Sequence, residues 1–215
     1  MVKRAFTLIE LIFAIVVMAI AFLAIPQLFE ISSANIEEVL KDEATFQGMK
    51  TAKTIQTYYW DENSLNSDGN YTYILDVQSG DSELDRYSTV YRLGNLILAK
   101  KRKFYEATTY ASSTLGSEAT DVIYDDIDDF NNQEENITSS LIDMIVKTQV
   151  YYIDDRATYS SNTINKTIST TRKSRSTNIK MIDINITDSK GNVILVYRTI
   201  SCNIGSAPIK IRRYE

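Results

Sequence analysis

The sequence predicts an α+β fold in which one long N-terminal helix precedes an antiparallel β-sheet domain. Three observations predict it. The apolar residues are bunched at one end, where Phe6 to Ile25 is a run in which only Thr7 and Glu10 are not apolar. A helical period continues past Pro26, with Ile36, Val39, Leu40, Phe46, Met49, Ala52, Ile55 and Tyr59 mostly three or four apart. Beyond Asp61-Glu62-Asn63-Ser64 the period shortens to two and strand-like segments begin. The 215 residues fit one domain, or one domain with an appendage.

The apolar run, at ~1.5 Å per residue, makes a helix of about 30 Å, which matches a bilayer's hydrocarbon core. Lys3 and Arg4 precede it, and Glu30, Glu37 and Glu38 follow. Positive charge on the near side places Met1 in the cytoplasm and the long polar part outside, which is the periplasm of a diderm bacterium. A secretory signal would be shorter and end at a small-x-small cleavage site. Here the run continues into Pro26-Gln27-Leu28-Phe29 without one. A plain anchor leaves Glu10 unexplained, because an ionisable residue in a spanning helix costs about 2.5–3.5 kcal/mol. Pro26 is expected to kink the helix near the membrane surface. From Phe6 to Glu62 a continuous helix would measure roughly 85 Å.

After the helix, Asn70–Val77 reads as a strand and Tyr87–Ala99 as one or two more, while Val122–Phe130 is short and mixed. Met144–Ile153 is a further strand. The clearest hairpin joins Asn178–Thr187 to Asn192–Asn203 through Asp188-Ser189-Lys190-Gly191, with Gly191 at the positive-φ position. In it Ile179, Met181, Ile184 or Ile186, and Val193 and Leu195, alternate with polar residues.

Composition removes most enzyme classes. There is no histidine, which excludes His-based triads and His-ligated metals. Cys202 is the one cysteine, so Cys-ligated zinc, iron–sulfur clusters and internal disulfides are excluded as well. No Ser-x-x-Lys string offers a serine nucleophile its base. The expected protein is not an enzyme. Net charge −5 and a pI near 5.0 argue against a dedicated nucleic-acid binder.

Lys3-Arg4-Ala5 followed by Phe6-Thr7-Leu8-Ile9-Glu10 and an unbroken apolar helix resembles the class III signal of type IV pilins and type II secretion pseudopilins. The resemblance implies cleavage by a prepilin peptidase between Ala5 and Phe6, N-methylation of Phe6, and retention of the helix in the mature chain. It also implies assembly through Glu10, whose carboxylate would meet the freed amine of a neighbouring subunit's Phe6. The family usually has Gly before the cut, where this chain has Ala5. The family's helix-weakening Pro usually lies one residue later than Pro26. In domain terms, residues 1–5 are a leader, 6–25 the membrane and fibre-core half of the helix, and 26–215 a periplasmic pilin-like globular domain. The implied partners are other pilins, the peptidase and an inner-membrane assembly platform. The owner machine is a type IV pilus, a type II secretion fibre or a DNA-uptake pseudopilus. A membrane-anchored binding module that never polymerises is the reading from another class. Tyr124–Asn131 and Lys180–Asp188 with Gly191-Asn192 further resemble minor pilins of the MSHA type. Ser64–Leu115 carries no such resemblance.

Three other features have two readings each. Asp125, Asp126, Asp128 and Asp129 offer oxygen ligands for calcium, which some pseudopilins bind in their C-terminal regions. The spacing fails the EF-hand pattern, and a solvated acidic loop with one Asp capping a turn is the favoured alternative. Lys100, Lys101, Arg102 and Lys103, with Phe104-Tyr105, could contact nucleic acid. A charged turn that keeps a sheet edge soluble is favoured there. Cys202 is expected to be a small buried strand residue, an intermolecular disulfide being its other reading.

Overall fold

The structure, a computed structural model, describes residues 7–66, 71–85, 106–117, 124–138, 143–160 and 163–206. The chain divides into two compact units, Met1–Glu43 and Ala44–Glu215.

Helix α1 runs from Leu8 to Ile55 and passes through Pro26 without interruption. Proline has no N–H, so the Phe22 carbonyl lacks its usual helical donor at that point. In the first unit α1 is long and apolar enough to cross a membrane. Its large apolar side chains are exposed, Phe13 by 65% and Phe22 by 68%. A helix that is apolar on all sides is of the kind that lipid covers.

In the second unit α1 packs on the sheet through Ala44, Gln47, Gly48, Ala52 and Ile55. This face shares Ala52 and Ile55 with the expected stripe but not Phe46 and Met49, which are exposed. The difference has a steric cause. A Cβ on Gly48 would lie 3.1 Å from Tyr197 Cβ and 3.3 Å from Ile186 Cδ1. Only small residues let the helix come that near. The α-helix also stops at Ile55 rather than near Glu62. Thr57 and Tyr58 donate to Thr54 and Ile55 in tighter turns, and a short 3-10 turn at Glu62–Ser64 follows, capped by Asp61.

Among the described residues nine strands follow in chain order. They are β1 (Ile74–Asp76), β2 (Glu106–Tyr110), β3 (Glu134–Thr138), β4 (Asp143–Ile153), β5 (Thr158–Ser160), β6 (Thr163–Asn165), β7 (Arg172–Lys173), β8 (Ile179–Asp188) and β9 (Val193–Cys202). The main sheet is antiparallel with order β3-β4-β8-β9, and β7 pairs with β4. β1 and β2 form a parallel pair, and β5 and β6 a small hairpin. One long helix with an antiparallel sheet domain is the expected pilin-like α+β architecture.

The predicted hairpin is β8–β9, and β4 matches its predicted span closely. Gly191 has φ +85°, and its N–H donates to the Asp188 carbonyl, as the turn required. The Asn70–Val77 strand shortens to β1. Tyr87–Ala99 lies outside the described residues. Both faces of β8 are covered, since Met181, Ile182, Ile184 and Ile186 are all buried. One face meets α1 through Ile186. On the other, Met181 packs with Tyr151 and Ile153, and Leu115, Ile179 and Ile200 extend that cluster. Cys202 is half-buried rather than buried, and burial pushes its thiol pKa up.

Candidate functional site: the N-terminal signal and a buried carboxylate cluster

Ala5 and Phe6 lie outside the described residues. Thr7 and Glu10 are described, and they bond reciprocally. Glu10 Oε2 accepts from the Thr7 N–H at 3.1 Å and from the Thr7 hydroxyl at 3.0 Å. The Glu10 N–H donates to Thr7 Oγ1 at 3.4 Å, and the Thr7 carbonyl accepts the first helical bond, from Leu11. This is a capping box, Thr-x-x-Glu, at the head of α1. Its spacing is visible in Thr7-Leu8-Ile9-Glu10. The cap holds the carboxylate in the first turn, where the helix dipole also favours it.

The acidic run is not the solvated loop that was expected. Asp125 is exposed, but Asp126, Asp128 and Asp129 are buried. Asp126 Oδ1 accepts from the N–H groups of Asp128 and Asp129 at 2.8 and 3.3 Å, and its Oδ2 from the Glu62 N–H at 2.8 Å. Asp129 Oδ2 accepts from the N–H groups of Asp125 and Asp126 at 2.8 and 3.3 Å. The capping half of the expectation holds, and burial is what differs. These carboxylates stitch the 3-10 turn Asp128–Phe130 to the segment that follows α1.

Lys180 of β8 enters the same cluster, wholly buried. Its Nζ donates to the Trp60 carbonyl at 2.5 Å and lies 3.7 Å from Asp61 Oδ2 and 3.5 Å from Asp128 Oδ2. The Trp60 ring centroid is 4.6 Å from the ammonium and that of Tyr152 5.6 Å, so two aromatic faces complete the shell. Burial, and then the Asp126 side chain, push the Asp128 carboxyl up to about 9. Burial and the neighbouring aspartates also push the Tyr152 phenol up. Asp61 binds the Asn63 and Ser112 N–H groups at 3.1 and 2.8 Å. Nothing in the sequence pattern marks Lys180 or Asp61 for this role.

Asp125, Asp126 and Asp129 bring one carboxylate oxygen each to within 4.8 Å of one another, and Asp129 Oδ1 is buried without a hydrogen bond. Calcium takes six to eight oxygens. These residues supply part of such a shell, and Asp126 is already committed to three backbone N–H groups. Asp128 faces Lys180 instead. The basic run Lys100, Lys101, Arg102 and Lys103 lies outside the described residues.

Fold and site together define a membrane-anchored α+β protein whose helix is capped by an acidic residue inside an apolar run. Residues 1–26 match the family described as the prokaryotic N-terminal methylation motif. The chain therefore carries the class III signal of type IV pilins and pseudopilins, the substrates of prepilin peptidase. The match stops before the two segments that resemble the MSHA type. No curated protein and no solved structure matches the chain.

Proposed function

We propose that this chain is a minor pilin or pseudopilin, a structural subunit of a type IV pilus or a type II secretion pseudopilus. The observation that carries the reading is that the methylation motif heads a helix running unbroken from Leu8 to Ile55, whose apolar side chains are left uncovered. In this reading prepilin peptidase cuts between Ala5 and Phe6, and the Phe6 amine is methylated. The helix then moves from lipid into a fibre with other pilins. The second unit stays on the periplasmic side of the inner membrane.

Glu10 gives assembly its electrostatic logic. A carboxylate in a low-dielectric fibre core gains from a cation, and cleavage creates one at Phe6. Pairing the two removes a penalty that each would suffer alone. An uncleaved chain has no amine at that place and cannot make the pair.

N-terminal sequencing or intact mass of the membrane-extracted protein tests processing. A mature chain beginning at methylated Phe6, cross-linked to other pilins, is the expected result. An intact leader in peptidase-positive cells, or a start after Pro26, would overturn the reading.

A further inference from the structure

The tripeptide Asn-Ile-Thr occurs twice, at Asn136–Thr138 and Asn185–Thr187, each time with a carboxylate two residues ahead, Glu134 or Asp183. Asn-x-Thr is the acceptor pattern of N-glycosylation. Acid-requiring bacterial oligosaccharyltransferases also read a carboxylate at that leading position, which offers a charge anchor to a cationic pocket. Asp68-Gly69-Asn70-Tyr71-Thr72 has the same pattern, but Asn70 lies outside the described residues. Asn165-Lys166-Thr167 has Thr163 in place of the acid.

Topology separates the two identical tripeptides. Asn185 sits in β8, opposite Lys147 of β4 on one side and Val196 of β9 on the other. Its leading acid, Asp183, is 8% exposed and already accepts from the Tyr151 hydroxyl and Arg198 Nε. Asn185 itself is only half-buried, but an enzyme that reads the leading acid could reach Asp183 only by displacing Tyr151 and Arg198.

Asn136 is placed differently. β3 is an edge strand among the described residues, so one side of its backbone is unpaired. Glu134, Glu135, Asn136 and Thr138 are all exposed. The Asn136 amide makes no hydrogen bond to the described residues, and it borders a groove of about 610 Å³. Glu134 meets Lys147 at 3.5 Å with both side chains about half exposed, a contact that contributes little and breaks readily.

We propose that Asn136 is an N-glycosylation acceptor, modified on the folded exported domain by a polyprenyl-pyrophosphate-linked oligosaccharide. The Asn136 Nδ2 attacks C1 of the first sugar, and the Nδ2–C1 bond forms as the C1–O bond to pyrophosphate breaks. The polyprenyl pyrophosphate leaves with the electron pair, and the amide loses one proton to a base of the transferase. In the cell this rests on the periplasmic placement given under Proposed function.

The test uses the full chain in detergent, a purified acid-requiring bacterial oligosaccharyltransferase and its lipid-linked oligosaccharide, read by glycopeptide mass. One glycan is expected on the peptide holding Asn136 and none on the peptide holding Asn185. Asn136→Gln and Thr138→Ala should abolish it. Glu134→Gln should lower the rate about tenfold, the loss of one charge-assisted contact. An unmodified Asn136 beside a modified control acceptor, or a glycan on Asn185, overturns the proposal. A second arm places the same chain in cells with the same enzyme. Modification in detergent but not in those cells would support the acceptor and overturn the periplasmic placement instead.

Discussion

The Lys180 ammonium lies 3.5 Å from Asp128 Oδ2, with neither side chain open to solvent. The contact ties the central strand β8 to the acidic 3-10 turn, Asp61 ties β8 to the segment after α1, and Asp126 ties the turn to that segment through the Glu62 N–H. Removing one partner of a buried pair strands the other charge, at a cost of about 3–5 kcal/mol. Lys180→Met should therefore lower the unfolding free energy by about that amount, because Asp61 loses its cation. Urea unfolding of the full chain in detergent measures it. A loss below about 1 kcal/mol would show that the aromatic shell, not the charge, holds the cluster.

Asp128 also gives the domain a pH dependence. Its folded pKa, about 9, stands above the ordinary carboxylate value. Across that window the folded chain keeps a proton that the unfolded chain has released. The contribution of Asp128 to stability is then fully present below about pH 4, falls as pH rises, and levels off above about pH 9. Asp128→Asn copies the neutral acid and should flatten the curve. Melting temperature against pH for both proteins checks this, and parallel curves would place the dependence elsewhere.

Much of the sheet was legible because its strands follow simple rules. β4 and the β8–β9 hairpin are rich in β-branched and aromatic residues, and Gly191 marks their turn. Lys180 was not legible. A lysine in an alternating strand reads as solvent-facing, and only the return of Trp60 and the acidic turn over that face buries it. β3 was missed because Glu134-Glu135-Asn136-Ile137-Thr138 is an exposed edge strand with no apolar alternation. The buried face of α1 was legible at Ala52 and Ile55 but not a turn earlier, where hydrophobicity pointed to Phe46 and Met49 while close approach to the sheet selected Gly48. Of the N-terminal signal, the charge of Glu10 was legible, and so in principle was its bond to Thr7.

Gly48 is open to a direct test of that close approach. A larger side chain there must displace Tyr197 Cβ, close to the backbone of β9. Gly48→Leu should destabilise by about 1–3 kcal/mol through overpacking. Gly48→Ala should cost less, because its better helix propensity, worth up to about 1 kcal/mol, offsets a small displacement. Urea midpoints rank the three proteins. A leucine variant as stable as the parent would mean that the helix rests farther from the sheet.

The capping box separates two roles for Glu10 that a single substitution would confuse. Glu10→Ala removes both the cap and the carboxylate proposed to meet a neighbour's Phe6 amine. Thr7→Ala removes the hydroxyl that bonds Glu10 and leaves the carboxylate. The cap itself is worth about 1 kcal/mol, too little to unseat a helix held by lipid. Membrane insertion and leader cleavage should persist in both variants, and insertion of Glu10→Ala should be easier because a polar group leaves the spanning segment. If assembly depends on the carboxylate, Thr7→Ala keeps cross-linking to other pilins and Glu10→Ala loses it. If Glu10 serves only to start the helix, the two variants behave alike. The measurement is the yield of cross-linked pilin relative to processed protein in the same membranes. Equal yields from both variants and the parent would make this chain an anchored module rather than a fibre subunit.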